Sequence, residues 1–295
     1  MKILITADLH YDIARSRQPT ERLAEEICRT QADAVVLVGD TAGADLATLR
    51  RCLGLFDKFA GRKLMVLGNH CLWRQGDQTS MDRYERLIPQ TAAEAGFEVL
   101  DRAPAEIGDV GLAGSIGWYD YSFAEKELQL PEDFYRAKMS PGAAAYLGEH
   151  QHLLDRHEGS LQDRHYSMGV RWMDGVHVRL GISDEEFVAM VTQRLRGHLA
   201  DLSSRVRQIV AFVHHLPFAE LVPRGRPDRF AFAAAYMGTH LLGKALLECP
   251  KLTHVYCGHS HWPGRSRIGH LSVVNIGSTY VEKRLEVLEL PANSR

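Results

Sequence analysis

Lys2-Ile3-Leu4-Ile5-Thr6-Ala7-Asp8-Leu9-His10 opens the chain with an apolar run that ends on an Asp and a His two positions apart. The pattern returns twice. Ala34-Val35-Val36-Leu37-Val38-Gly39-Asp40 and Leu64-Met65-Val66-Leu67-Gly68-Asn69-His70 each set a polar turn directly after a continuous hydrophobic stretch. Runs this short and apolar at every position predict strands of a sheet covered on both faces. Between them the spacing turns helical: Arg15 to Thr30, with Leu23 and Ile27 on one side, then Leu46 to Phe59 and Ser80 to Ala95. Such strand–helix alternation predicts βαβ units and an α/β fold. Phe97 to Leu100 and Val110 to Ala113 read as further strands.

The alternation stops between 118 and 178. This stretch is rich in His, Arg, Asp and Tyr and is punctuated by Pro131 and Pro141, with short helices expected around Asp133 to Met139 and Ala143 to His157. It reads as a partly helical, cap-like insertion within a single domain spanning 1–295. A longer helix is expected from Asp184 to about Ser203, opened by Ser183 and Glu186 at capping-box spacing. Strands follow at Ile209 to Val213, Thr253 to Cys257, Ser272 to Ile276 and Leu285 to Leu290.

Composition sets outer limits. The chain has 295 residues, 45% of them hydrophobic and 24% charged, which argues for a packed core and against disorder. A net charge of −2 gives no global basic field and no strong nucleic-acid signature. Five scattered cysteines without a CxxC pair suit a reducing, cytoplasmic location. The chain runs from Met1 straight into a strand, leaving no room for a signal peptide. No apolar run approaches the ~20 residues of a membrane span.

Two more polar turns end strands in the second half: His214-His215-Leu216-Pro217 and Gly258-His259-Ser260-His261. Taken singly, Asp-x-His, Gly-Asp and Gly-Asn-His are ordinary turns. Placed together they are not, because all five follow apolar strands. The carboxyl ends of strands in an open α/β sheet line one crevice, where ligands bind. Adjacent histidines on a strand face opposite sides, so one of His214 and His215 is a ligand and the other packs behind it. The set then holds three oxygen donors (Asp8, Asp40, Asn69) and four imidazoles. Without thiolate, it suits Mn, Fe or Zn, with Co and Ni also permitted. Seven donors exceed one tetrahedral ion and suit two divalent ions sharing a carboxylate.

At these residues the sequence resembles the calcineurin-like metallophosphoesterase superfamily. The motifs stand in that family's order: D-x-H, GD, GNH, a strand ending in His, then GHxH, with Asn275-Ile276-Gly277-Ser278 similar to its Asn-x-Gly-Ser turn. The match runs over roughly Met1 to Ala113 and Arg205 to Leu290. The resemblance implies a four-layer α/β/β/α sandwich of two mixed sheets with flanking helices. It implies one ion held by Asp8, His10 and His261, a second held by Asn69, His214 and His259, and Asp40 bridging. The resemblance makes His70 the group that contacts the scissile phosphate and stabilises or protonates the leaving oxygen. A hydroxide bridging the two ions would attack phosphorus in line. The chain departs from the family pattern twice. Cys71 stands where an acidic residue usually follows GNH. Gly43 stands where some members place an Asp that orients the histidine, and the nearest acid in sequence is Asp45.

Asn69, His70, His215, Arg224 and Arg226 are the candidate substrate contacts. The arginines belong to the Pro223-Arg224-Gly225-Arg226-Pro227-Asp228-Arg229 loop that follows the HHLP turn. Trp118, Tyr119 and Tyr121 are expected to pack, as are Phe230, Phe232 and Tyr236. His150, His152, His157 and His165 are expected to be surface groups rather than a third metal site. The expected activity is metal-dependent hydrolysis of a small or medium phosphate mono- or diester. The rivals are a nuclease and a binding scaffold on the same fold.

Overall fold

Each apolar strand divides its side chains between two faces, and that division builds the layers. The computed structural model describes residues 1–225 and 227–291. One sheet contains β1 (Lys2–Thr6), β2 (Ala34–Val38), β3 (Arg62–Val66) and β4 (Phe97–Val99), all parallel, with β11 (Glu286–Glu289) antiparallel on the outer edge of β1. The other has the order β5 (Ala105–Ile107), β6 (Val110–Ser115), β7 (Gln208–Val213), β8 (Leu252–Cys257), β10 (Leu271–Asn275), β9 (Gly264–Ile268). Its four central strands are parallel and its two edge strands antiparallel.

Ile3, Ile5, Val36, Val38, Leu64 and Val66 meet Leu112, Val210, Phe212 and Val274 in one core between the sheets. On the outer face of the first sheet, Leu4, Val35, Leu37 and Met65 pack with Leu23 and Ile27 of the helix Ala14–Arg29. On the outer face of the second, Ala211, Val213 and Val255 pack with Leu195, Leu199 and Leu202 of the helix Asp184–Arg205. The result is the expected α/β fold of two mixed sheets flanked by helices. The capping box on the long helix forms as the sequence predicts, Ser183 accepting from the Glu186 backbone and Glu186 from that of Ser183.

Three helices differ from their expected lengths. The Ser80–Ala95 helix is broken into Ser80–Asp82, a π-helical turn Arg83–Leu87 and Ile88–Glu94. Pro89 explains the break: its ring obstructs the carbonyl four residues back, and the local ladder widens so that the Ile88 N–H reaches the Arg83 carbonyl. The 46–59 helix ends at Gly54 and gives way to turns. The 143–157 helix becomes Pro141–Leu147 and Gln151–His157, separated by Gly148 and His150, both left-handed. The edge strands β5 and β9 were not expected. Gly-Arg-Ser-Arg-Ile carries no apolar signal because an edge strand is half solvated.

Candidate metal centre

The ends of β1, β2 and β3 carry Asp8, Asp40 and Asn69, and those of β7 and β8 carry His214, His259 and His261. The two sheets therefore converge on one edge. Asp8, His10, Asp40, His259 and His261 all have positive φ, between 43° and 69°. Left-handed backbone costs a non-glycine residue on the order of 1 kcal/mol or more and clusters at functional sites. Here it turns the side chains back over the strand ends. Two motif glycines are sterically required. A Cβ on Gly39 would lie 2.1 Å from His214 Nδ1, and one on Gly68 would lie 2.1 Å from Asp40 Oδ1.

The donor atoms meet at short range. His10 Nε2 lies 3.1 Å from His261 Nε2, which lies 3.6 Å from Asp8 Oδ1. Asp40 Oδ2 lies 3.6 Å from His10 Nε2 and 3.4 Å from His214 Nε2. His214 Nε2 is also 3.3 Å from Asn69 Oδ1. Asp40, His214 and His259 form a second tight group, and His70 joins His10 and Asp40 in a third. Donors bonded at about 2.1 Å around one tetrahedral ion stand about 3.4 Å apart, so these spacings fit divalent cations. The ring tautomers fit as well. His214 donates from Nδ1 to the Val38 carbonyl at 3.1 Å, leaving Nε2 for a ligand. His259 donates from Nε2 to the Tyr236 carbonyl at 3.1 Å. Its Nδ1 is then the nitrogen with a lone pair, buried and without a hydrogen-bond partner among the described residues.

Burial governs the charges. It pushes His10, His259 and His261 below the ordinary imidazole range, which keeps them neutral and able to ligate. It pushes Asp8 up. Burial opposes the charge of Asp40 too, but His214, His70 and His10 outweigh it and hold the carboxyl well below its usual range. Burial likewise opposes a charge on His214, yet Asp40, Asp8 and the Val38 carbonyl carry its pKa up to about 9.

The sequence profile of the calcineurin-like phosphoesterase family matches residues 1–263. The chain belongs to that family. Its members are metal-dependent phosphoester hydrolases that generally bind two divalent metals, and this chain is a hydrolase of that class. Among solved structures, a phosphopantetheinyl hydrolase from Mycobacterium tuberculosis aligns at 15% identity over 95% of this chain and 90% of its own, with a TM-score of 0.68. A Thermus thermophilus protein aligns at 14% identity over 97% of each chain, with a TM-score of 0.51. A dimetal phosphatase from Danio rerio aligns at 14% over 96% of this chain and 88% of its own, with a TM-score of 0.50. These likenesses concern the fold. No curated protein matches at the sequence level. No helix among the described residues is long and apolar enough to cross a membrane.

Against that family background, the two departures in the sequence have physical explanations. Cys71 is buried in the outer core, where burial pushes its thiol up to about 12, so it packs as a small hydrophobe. Asp45 accepts from the Ala47 and Thr48 amides as a helix cap. The acid beside Gly43 is Asp12, whose Oδ2 would lie 2.6 Å from a Cβ there. A side chain at 43 would push this carboxylate aside.

The candidate substrate contacts separate. Asn69 and His70 line a cleft of about 570 Å³ that opens over the metal ligands. His215 lies behind His259 with ring centroids 4.2 Å apart, wholly buried, its Nδ1 on the Ile116 carbonyl. Arg224 faces Glu125 at 3.8 Å, away from the cleft lining. Arg226 lies outside the described residues. Among the described residues, the arginines that line the cleft are Arg171 and Arg229. Trp118, Tyr119 and Tyr121 are buried and hydrogen-bonded, to Asp184, Asp174 and Asp184 respectively. Phe232 and Tyr236 are core, but Phe230 is 40% exposed and lines the cleft. His157 pairs with Asp133 and His165 is buried against the Leu128 carbonyl. Neither belongs to a metal-binding group among the described residues, nor do His150 and His152.

Sequence reading missed Asp174. It accepts from Asn69 Nδ2 at 3.0 and 3.2 Å, Trp73 Nε1 at 2.8 Å, Trp172 Nε1 at 2.8 Å and Tyr119 Oη at 3.1 Å. No spacing rule connects residues 105 positions apart.

Proposed function

We propose that this protein hydrolyses phosphate mono- or diesters at a dinuclear centre. In this reading Asp8, His10 and His261 hold one divalent ion, Asn69, His214 and His259 hold the other, and Asp40 is shared. One observation carries it: a single oxygen of Asp40 stands 3.6 Å from a histidine of the first set and 3.4 Å from a histidine of the second. The nitrogen-and-oxygen donor set suits Mn, Fe or Zn. When bound, such ions supply Lewis-acid charge and a nucleophilic water at neutral pH.

The protein's own contributions follow from the side chains around them. Asp40 is fixed by the His70 backbone N–H, which donates to Oδ1 at 2.9 Å. The His70 ring stacks on Trp73 at 3.8 Å and meets His10 edge-on at 4.6 Å. His70 lines the cleft beside these groups, and in this reading it donates a proton to a departing alkoxide. Trp73, Trp172, Phe230 and Tyr280 give the cleft aromatic walls, and Arg171 and Arg229 add positive charge. The best-fitting substrate is an ester whose leaving group is apolar or aromatic and bears a further anionic group. In this reading residues 1–295 act as one domain, with 118–178 as its cap. A reducing cytoplasm suits the five free cysteines.

The test is hydrolysis of p-nitrophenyl phosphate and bis(p-nitrophenyl) phosphate with and without Mn²⁺, alongside metal analysis. Metal-dependent release of nitrophenol from either ester is expected. A nucleoside phosphate and a phosphopantetheinyl ester, the class named for the Mycobacterium tuberculosis neighbour, complete the substrate panel. If the protein binds two ions yet cleaves nothing on the panel, the scaffold reading replaces this one.

A further inference from the structure

Asn69 presents a problem that a carboxylate ligand would not. A side-chain amide has an oxygen that attracts a cation and an NH₂ that repels one, and the two ends have nearly the same shape. Something must decide which end faces the ions. Asp174 meets that need. It is 1% exposed and opens the short helix Asp174–His177. A carboxylate only accepts hydrogen bonds, so the amide edge turned toward it is the NH₂. Asn69 Oδ1 is thereby directed at His214 Nε2, 3.3 Å away.

We propose that Asp174 is the positioning residue that fixes the metal-binding orientation of Asn69 and couples it to the walls of the cleft. This rests on the dinuclear reading above. The same two oxygens take the indole N–H groups of Trp73 and Trp172 and the hydroxyl of Tyr119. With these four donors the buried charge is compensated. Trp73 carries His70 on its face at 3.8 Å, and Trp172 stacks on Tyr236, whose carbonyl accepts from His259. One carboxylate from the 118–178 segment thus touches Asn69 directly and reaches His70 and His259 through one or two intermediates. Among the described residues, Asp174 is not itself in any group of metal-ligating residues.

The experiment is stepwise Mn²⁺ titration by calorimetry on the metal-free protein, its Asp174→Asn and Asn69→Ala variants, and the double variant. The wild type is expected to bind two ions. Asp174→Asn should keep one at wild-type affinity and weaken the other about 10–100-fold, as expected when a ligand's hydrogen-bond partner is lost. A purely structural defect would not single out one ion. Asp174→Asn should add nothing further in the Asn69→Ala background. Unchanged affinities in Asp174→Asn, or the full loss repeated without Asn69, overturn the inference. If Asp174→Asn does not fold, Asp174→Glu carries the test: the carboxylate displaced by one methylene must weaken the same ion, and wild-type affinity overturns the proposal. Fewer than two ions on the wild type sinks the dinuclear reading itself and this inference with it.

Discussion

Asp40 serves both halves of the proposed centre through one oxygen, so Asp40→Asn tests the arrangement most directly. The amide keeps the shape and loses the charge. Metal content by elemental analysis should fall below two per chain, and turnover should drop by roughly 10²-fold or more. Full activity in that variant would remove the shared-ligand assignment. His70→Ala should separate chemistry from binding. Both ions stay, while kcat falls by about 10²–10⁴, the usual worth of a positioned acid or base. Loss of an ion instead would make His70 a ligand. At this scale the candidate ligands were legible because each lies in a polar turn that directly follows an apolar strand. The residues that hold them were not. Asp174, which hydrogen-bonds Asn69, is brought in by a chain crossing that no local pattern encodes.

Between elements, Asp101 acts as a clasp. It is buried and accepts from the Leu67 N–H at 2.9 Å, at the end of β3, and from the Ile116 N–H at 2.5 Å, at the end of β6. One carboxylate thus ties the two sheets together at the catalytic edge. Asp101→Ala leaves two buried amides without an acceptor, at about 1–3 kcal/mol each. A loss of about 2–4 kcal/mol is expected, a Tm drop of roughly 5–15 °C in thermal unfolding. Asp101 also imposes a pH dependence. Burial raises its pKa from 3.8 to about 6. Between pH 4 and 6 the folded protein therefore holds a proton that the unfolded chain has released, so this group's contribution to stability falls as pH rises through that window. Asp101→Asn lacks this slope. The Tm gap between wild type and variant, measured in chelator, should narrow from pH 4 to pH 7, and a constant gap would refute the assignment. Elements with a strong apolar period were legible in the sequence, including the capped helix at Ser183. Those shaped by a single residue were not, as the π-helical turn ahead of Pro89 and the polar edge strand β9 illustrate.

For the molecule as a whole, the candidate ligands come from both sheets: Asp8, Asp40 and Asn69 from one, His214, His259 and His261 from the other. Ions held between them would act as cross-links. Saturating Mn²⁺ at about 100 times its Kd should stabilise the metal-free protein by about 2.7 kcal/mol and raise Tm by roughly 5–10 °C. No shift at Mn²⁺ levels that support turnover would show that the folded state does not bind the ions in preference to the unfolded chain. The layered fold was legible because continuous apolar strands demand cover on both faces. The 118–178 segment was legible as an interruption with short helices around 133–139 and 143–157, but not in its packing, because its aromatic and charged residues are ordered by partners elsewhere. The fourfold hydrogen bonding of Asp174 has a consequence for how such a protein can change. The segment that walls the cleft also supplies the acceptor that orients Asn69. It is not a portable module. A homologous segment exchanged here to alter selectivity must bring an acidic side chain to that place, or the recipient acquires its new preference at the cost of holding its metal.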